Sequence, residues 1–102
     1  LNVSAMEVER RLMEMPGVEE AAVIAVPDSE YGETPLAILY GQNLPSAEEV
    51  VAFCREGLSG YKVPRYVVIS PTPLPRLPAG KISKVDLRQQ WQGKTATLQR
   101  LR

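Results

Sequence analysis

The sequence predicts an α+β domain, a small three-stranded, mainly antiparallel sheet packed with about three helices in the order α-β-β-α-β-α. Three observations carry this. Serines at positions 4, 46 and 83 each stand where a helix cap is wanted, with an acidic residue three positions on (Glu7, Glu49, Asp86). Short apolar runs at 18–26, 35–40 and 66–70 have the composition and length of strands. Pro, Gly, Asn and Asp clusters punctuate the chain between these runs.

Leu1-Asn2-Val3 reads as a short extended opening before the first helix. In that helix Ala5, Val8, Leu12 and Met15 recur at three-to-four spacing and form one apolar stripe. Glu7, Arg10, Arg11 and Glu14 lie off the stripe, most simply as a solvated face with i,i+3 or i,i+4 pairs. Pro16-Gly17 stops the helix. The next run, VEEAAVIAV, is apolar at consecutive positions in its second half, so both faces are covered and a central strand is expected. A turn-rich loop, Pro27 to Glu33, leads to PLAILY, an antiparallel neighbour.

Ser46-Ala47-Glu48-Glu49 repeats the capping box, and Ala47, Val51, Cys54 and Leu58 form the inward stripe of a second helix. Cys54 on that stripe reads as a buried hydrophobe, since the chain has no His to activate it. Gly60 stands where a left-handed helix end is expected. Pro64 forces Val63 into extended backbone, which holds Tyr61, Lys62 and Arg65 on a stiff turn before the third strand. The β-α-β passage then lets the third strand lie beside the first, giving the order 2-1-3 and an all-antiparallel sheet.

Four prolines fall within 71–78, and each fixes φ and removes a donor. The segment is therefore expected to be an extended, polyproline-like arm, ending at the permissive joint Ala79-Gly80 and presenting Lys81. A cation on such a tip suits a side chain that reaches a site elsewhere; a plain surface-loop lysine is the alternative. The Gly-Lys pair is not a nucleoside-triphosphate loop of the GxxxxGK[ST] kind, because Pro75 and Ile82 occupy its fixed positions. Ser83 caps a last helix, Lys84 to Trp91, and the polar, basic stretch 92–102 is expected to fray. Residues 1–91 thus make the domain and 92–102 its tail.

At 102 residues and 44% apolar the chain holds one adequate core. No apolar run approaches the roughly 20 residues of a membrane helix. One cysteine and no histidine exclude a disulfide framework and leave no zinc signature, as in a reducing cytoplasm. Zero net charge conceals an asymmetry: residues 1–54 carry −8 and residues 55–102 carry +8. A basic half can attract a polyphosphate, nucleic acid or an acidic surface, or simply pack on the acidic half. Its charges are spaced out with few aromatics among them, so nucleic-acid binding is poorly supported.

Together the pieces LNVSAMEVERRL, VEEAAVIAVPDSEYGE, GYKVPRYVVIS and LPRLPAGKISKVDLR resemble, in order and spacing, the C-terminal domain of the adenylate-forming superfamily. That superfamily comprises acyl- and aryl-CoA synthetases, luciferases and peptide-synthetase adenylation domains. The resemblance spans nearly residues 1–91. It implies a mobile lid of an ATP-dependent acid–CoA ligase, inactive alone, whose partner is its own larger N-terminal domain and whose substrate is a carboxylic acid. Lys81, in PAGK, matches the lysine that reaches the active site during adenylation, with Gly80 beside it in the cofactor site. Tyr31 matches an aromatic against the CoA nucleotide, and Tyr61, Lys62 and Arg65 match the stretch around that nucleotide and its phosphates. The opening LNVSAMEVE belongs to the face used for thioester formation. ATP, CoA and Mg²⁺ are implied for the whole enzyme, with no metal ligand in this stretch. Leu77 and Lys84 depart from the threonine and arginine of many members. The phosphate loop and the hinge acid are not in the sequence, and the start at Leu1 suits a trimmed fragment. Two alternatives stand. One is a peptide-synthetase lid, which commonly lacks a lysine at the Lys62 position; the other is a stand-alone module binding an acidic partner.

Overall fold

Helix α1 (Ala5–Met13) begins where Ser4 Oγ accepts the Glu7 amide at 3.4 Å, satisfying a donor that a helix start leaves unpaired. Val8 and Leu12 on its inner stripe are buried, and Met15 joins them beyond the helix end. The structure, a computed structural model, describes residues 4–30 and 32–102. The extended opening expected for Leu1-Asn2-Val3, and Tyr31, lie outside the described residues.

Strands β1 (Val18–Asp28) and β2 (Gly32–Gly41) pair antiparallel, with Val23 opposite Ala37. Strand β3 (Tyr66–Ile69) pairs parallel with β2, Leu36 opposite Tyr66. The order is β1-β2-β3 and the sheet is mixed, not the antiparallel 2-1-3 expected from the sequence. α2 (Ala47–Gly57) returns the chain so that β3 runs in the direction of β2 in either order. What decides is the edge, since Val23 on the open side of β1 is taken by the Glu9 and Lys84 side chains and β3 pairs with β2 instead.

β1 is an edge strand, although its apolar run suggested a central one. Ala21 and Val23 pack with Val8, Leu12, Val50, Val51 and Cys54, while Ala22, Ile24 and Val26 pack with Leu74 and Leu87 on the opposite side. Consecutive apolar residues here report two covered faces, not two strand neighbours. Pro27 fits an edge strand, which need not donate on its open side. Each buried aliphatic side chain is worth roughly 1.5–3 kcal/mol, against about 1 kcal/mol for a capping bond. The layers are therefore held by packing, and the caps set where helices start.

The Ser46–Glu49 capping box opens α2, the hydroxyl accepting the Glu49 amide at 3.2 Å and the carboxylate accepting the Ser46 amide at 3.0 Å. The helix ends at Gly57 with Leu58 extended at φ −133°, and Gly60 instead starts a 3-10 turn, Gly60–Lys62, without a left-handed backbone. Helix α3 (Lys84–Trp91) follows the arm, with Ser83 Oγ accepting the Asp86 amide and Leu87 buried against the sheet. The stretch 92–102, expected to fray, carries contacts: Leu98 packs on the α3 side of the sheet and Leu101 on the α1–α2 side. The Leu101 amide donates to Arg65 O at 2.8 Å.

Candidate functional site

Lys81 lies at the end of a tight hairpin and not on a simple extended arm. The Gly80 amide donates to Leu77 O at 2.8 Å, the Leu77 amide donates to Lys81 O at 2.7 Å, and Gly80 has φ +98°. This is a turn with Pro78 at its second position and a left-handed glycine closing it, a combination that favours proline and glycine in those places. Arg76 and Ile82 form an antiparallel bridge behind the turn, so the proline segment does contribute a short ladder. Folding back aims the Lys81 side chain from a fixed stem into solvent, where it makes no hydrogen bond or ion pair among the described residues.

Glu20 on β1 is the brace of that stem. Its Oε1 accepts the Leu74 amide at 2.8 Å and its Oε2 pairs with Arg76, whose Nη1 in turn donates to Gly80 O at 2.6 Å. The Leu74 amide and then the Arg76 guanidinium hold the Glu20 carboxyl below the usual carboxylate range. Lys84, one of the two departures from the resemblance, donates to Val23 O at 2.9 Å and pairs with Glu9 at 2.6 Å. It ties the start of α3 to β1 and α1. Leu77, the other departure, stands exposed on the turn.

The second group of candidates lies on the 3-10 turn and the start of β3. Tyr61 is 44% exposed, and the Lys62 ammonium lies 5.7 Å from its ring centroid. Lys62 also pairs with Glu7 of α1 at 2.8 Å. Arg65 is 7% exposed, with Nη1 donating to Thr34 Oγ1 of β2 at 3.0 Å. Exposed Tyr61 and half-buried Lys62 thus share one surface turn, while the Arg65 side chain runs inward toward β2. A groove of about 350 Å³ between the proline segment and α3, walled by Leu74, Leu87 and Trp91, contains none of these candidates.

Glu7, Glu9, Glu20 and Arg76 were not singled out as site residues by the sequence. The charges of α1 are not merely a solvated face. Beside the Glu7 and Glu9 pairs, Arg11 donates to Phe53 O at 2.7 Å and stacks 3.7 Å from the Phe53 centroid. Among the described residues no three His, Cys, Asp or Glu side chains gather as a metal site would need.

Residues 7–81 match the family described as AMP-binding enzyme C-terminal domain. Over 91 residues the chain is 41% identical to a long-chain-fatty-acid–CoA ligase of Mycobacterium tuberculosis, covering 88% of this chain and 18% of that protein. The ATP-bound structure of MatB from Rhodopseudomonas palustris superimposes with a TM-score of 0.83 at 31% identity, over 89% of this chain and 18% of that one. The amide bond synthetase McbA from Marinactinospora thermotolerans gives a TM-score of 0.82 at 36% identity, over 89% and 19%. The chain therefore spans less than a fifth of the length of these relatives.

Proposed function

Because the chain belongs to the family of AMP-binding enzyme C-terminal domains, we propose that it is the lid of an AMP-forming acid–CoA ligase. In the first half-reaction a carboxylate oxygen attacks the α-phosphorus of ATP and pyrophosphate leaves. Negative charge concentrates between the two groups, and an ammonium placed there lowers the barrier. Lys81 is the group with the reach: exposed, unpaired among the described residues, and mounted on a turn braced by Arg76 and Glu20. That geometry is the observation that carries the reading.

In the second half-reaction the CoA thiol attacks the acyl carbonyl and AMP leaves. Lid rotation between the two steps withdraws Lys81 and turns the Tyr61–Lys62 face, with the start of α1, toward the site. Lys62 offers its ammonium to a CoA phosphate and Tyr61 its ring to the nucleotide, with Tyr31 completing the set by resemblance. Arg65 supports the turn from within through Thr34. Gly80 supplies the left-handed joint beneath Lys81. ATP and its Mg²⁺ would be held by the N-terminal domain that the resemblance implies.

The likeness to an amide bond synthetase favours a second reading, in which an amine takes the acyl group. The test is acid-dependent ATP–pyrophosphate exchange by the full-length protein over a panel of acids, followed by CoA, amine and carrier-protein acceptors. Exchange with thioester formation on CoA supports the ligase. Acid-dependent exchange by residues 1–102 alone contradicts the lid.

A further inference from the structure

Outside the matched residues 7–81, the segment after α3 makes contacts that reach both the β1 end and the Val63–Arg65 stretch that follows the Tyr61–Lys62 turn. Arg100 Nη2 lies 3.3 Å from Asp28 Oδ1 and 3.1 Å from Glu30 Oε1, at the end of β1 and in the loop that follows. One position on, the Leu101 amide donates to Arg65 O at 2.8 Å, and Arg102 Nη1 donates to Val63 O at 2.6 Å. Three consecutive residues thus grip the β1 end on one side and the Val63–Arg65 stretch on the other.

The anchoring is built and not casual. The Asp28 side chain is only 2% exposed, so its ion pair with Arg100 is sheltered, unlike the pair with the open Glu30 carboxylate at 62%. Asp28 Oδ2 also accepts the Glu30 amide at 3.0 Å, so the group that receives Arg100 shapes the loop as well. Leu98 packs on the α3 side of the sheet and Leu101 on the α1–α2 side, so the segment wraps from one layer to the other past the start of β3. Sheltered ion pairs are screened far less by salt than open ones.

We propose that residues 98–102 form a strap, with Arg100 as a positioning residue, that fixes the β1 end against the Val63–Arg65 stretch and so presets the acceptor-nucleotide site. The proposal rests on the CoA reading above, and Arg100 itself touches no substrate. Loosening the strap leaves the Lys81 turn, which is braced separately by Glu20 and Arg76, in place. Its effect therefore falls on acceptor binding and not on adenylation.

The experiment uses the full-length protein as Arg100→Ala, Arg100→Lys and, as a control, Lys62→Ala. Amide hydrogen exchange is followed by mass spectrometry together with KM for CoA and KM for ATP in pyrophosphate exchange. Arg100→Ala is expected to speed exchange in peptides spanning 28–34 and 62–66 at least fivefold while α1 and α2 stay protected. It should raise KM for CoA three- to tenfold with KM for ATP unmoved, and Arg100→Lys should restore most of both. Unchanged exchange, or faster exchange with an unmoved KM for CoA while Lys62→Ala raises it, overturns the strap. If Lys62→Ala also leaves KM for CoA unmoved, the acceptor site itself is misplaced and the strap's positioning role falls with it.

Discussion

The Lys62 ammonium sits 2.8 Å from Glu7 Oε1, joining the 3-10 turn to the first turn of α1 across 55 positions of sequence. This hydrogen bond to Glu7 is the main cause that raises the Lys62 pKa above its ordinary value. A raised folded-state pKa contributes stability that is complete below the unfolded value of 10.5 and fades as pH climbs through the folded one. Glu7→Gln should lower the Lys62 pKa and remove that alkaline loss. An NMR titration of the lysine Nζ checks it; an unmoved titration would mean the pair does not form in solution.

Lys62 and Arg65 should separate when each is cut to alanine. Lys62 is half-buried and paired with Glu7, so Lys62→Ala should raise the CoA requirement roughly tenfold, the size of a charge-assisted phosphate contact, with only the small loss of Tm that one surface ion pair carries. Arg65 is nearly buried and bonded to Thr34, so Arg65→Ala should also lower Tm by several degrees. Steady-state kinetics and calorimetry on the two variants distinguish them.

Glu20→Gln should loosen the Lys81 stem. The carboxylate is mostly buried and accepts both the Leu74 amide and Arg76, and losing its charge should cost about 1–2 kcal/mol. Its folded pKa is lowered, so the stabilisation is complete above the unfolded value of 4.5 and lost as pH falls through the folded one. Urea unfolding at pH 7 should separate wild type from Glu20→Gln, and the gap should narrow steadily as pH falls below 4.5. A gap that stays constant with falling pH would assign the effect to shape and not to charge.

Cys54 should resist alkylation in the native protein at pH 8. Burial pushes its thiol up to about 11 despite the nearby Arg11, so little thiolate is present. The neutral thiol favours the fold fully below the unfolded value of about 9, and that contribution is lost as pH rises toward 11. Cys54→Ser, which leaves a hydroxyl in an apolar core, should cost about 1–3 kcal/mol by chemical denaturation.

Much of this structure was legible in the residues because the signals were local. Ser4, Ser46 and Ser83 each bond the amide three positions on, so all three helix starts could be placed from sequence. The strand order was not legible, since the apolar run Ala21–Ile24 reports two covering layers whether the strand is central or at an edge. The crossover through α2 allows both orders, and only the long-range bonds of Glu9 and Lys84 to Val23 mark β1 as the edge. The hairpin at Gly80 was half visible: Pro78 and Gly80 announce a turn, while the Arg76–Ile82 bridge that closes it needs Glu20 from 56 positions away. Long-range ion pairs such as Glu7–Lys62 and Arg100–Asp28 leave no spacing to read. Their partners are ordinary surface residue types, and only the fold brings them together.

The central claim is that Lys81 serves one half-reaction and not the other. Its side chain is exposed at the tip of a braced turn, so Lys81→Ala should leave Tm almost unchanged. Losing a contact made as charge develops, worth about 3–4 kcal/mol, should slow adenylation roughly 10²–10³-fold. The most direct measurement supplies synthetic acyl-adenylate and CoA to full-length Lys81→Ala and compares thioester formation with the overall reaction from acid and ATP. The account predicts near wild-type thioester formation beside a crippled overall reaction. Equal loss in both would contradict it and return Lys81 to the rank of an ordinary loop lysine.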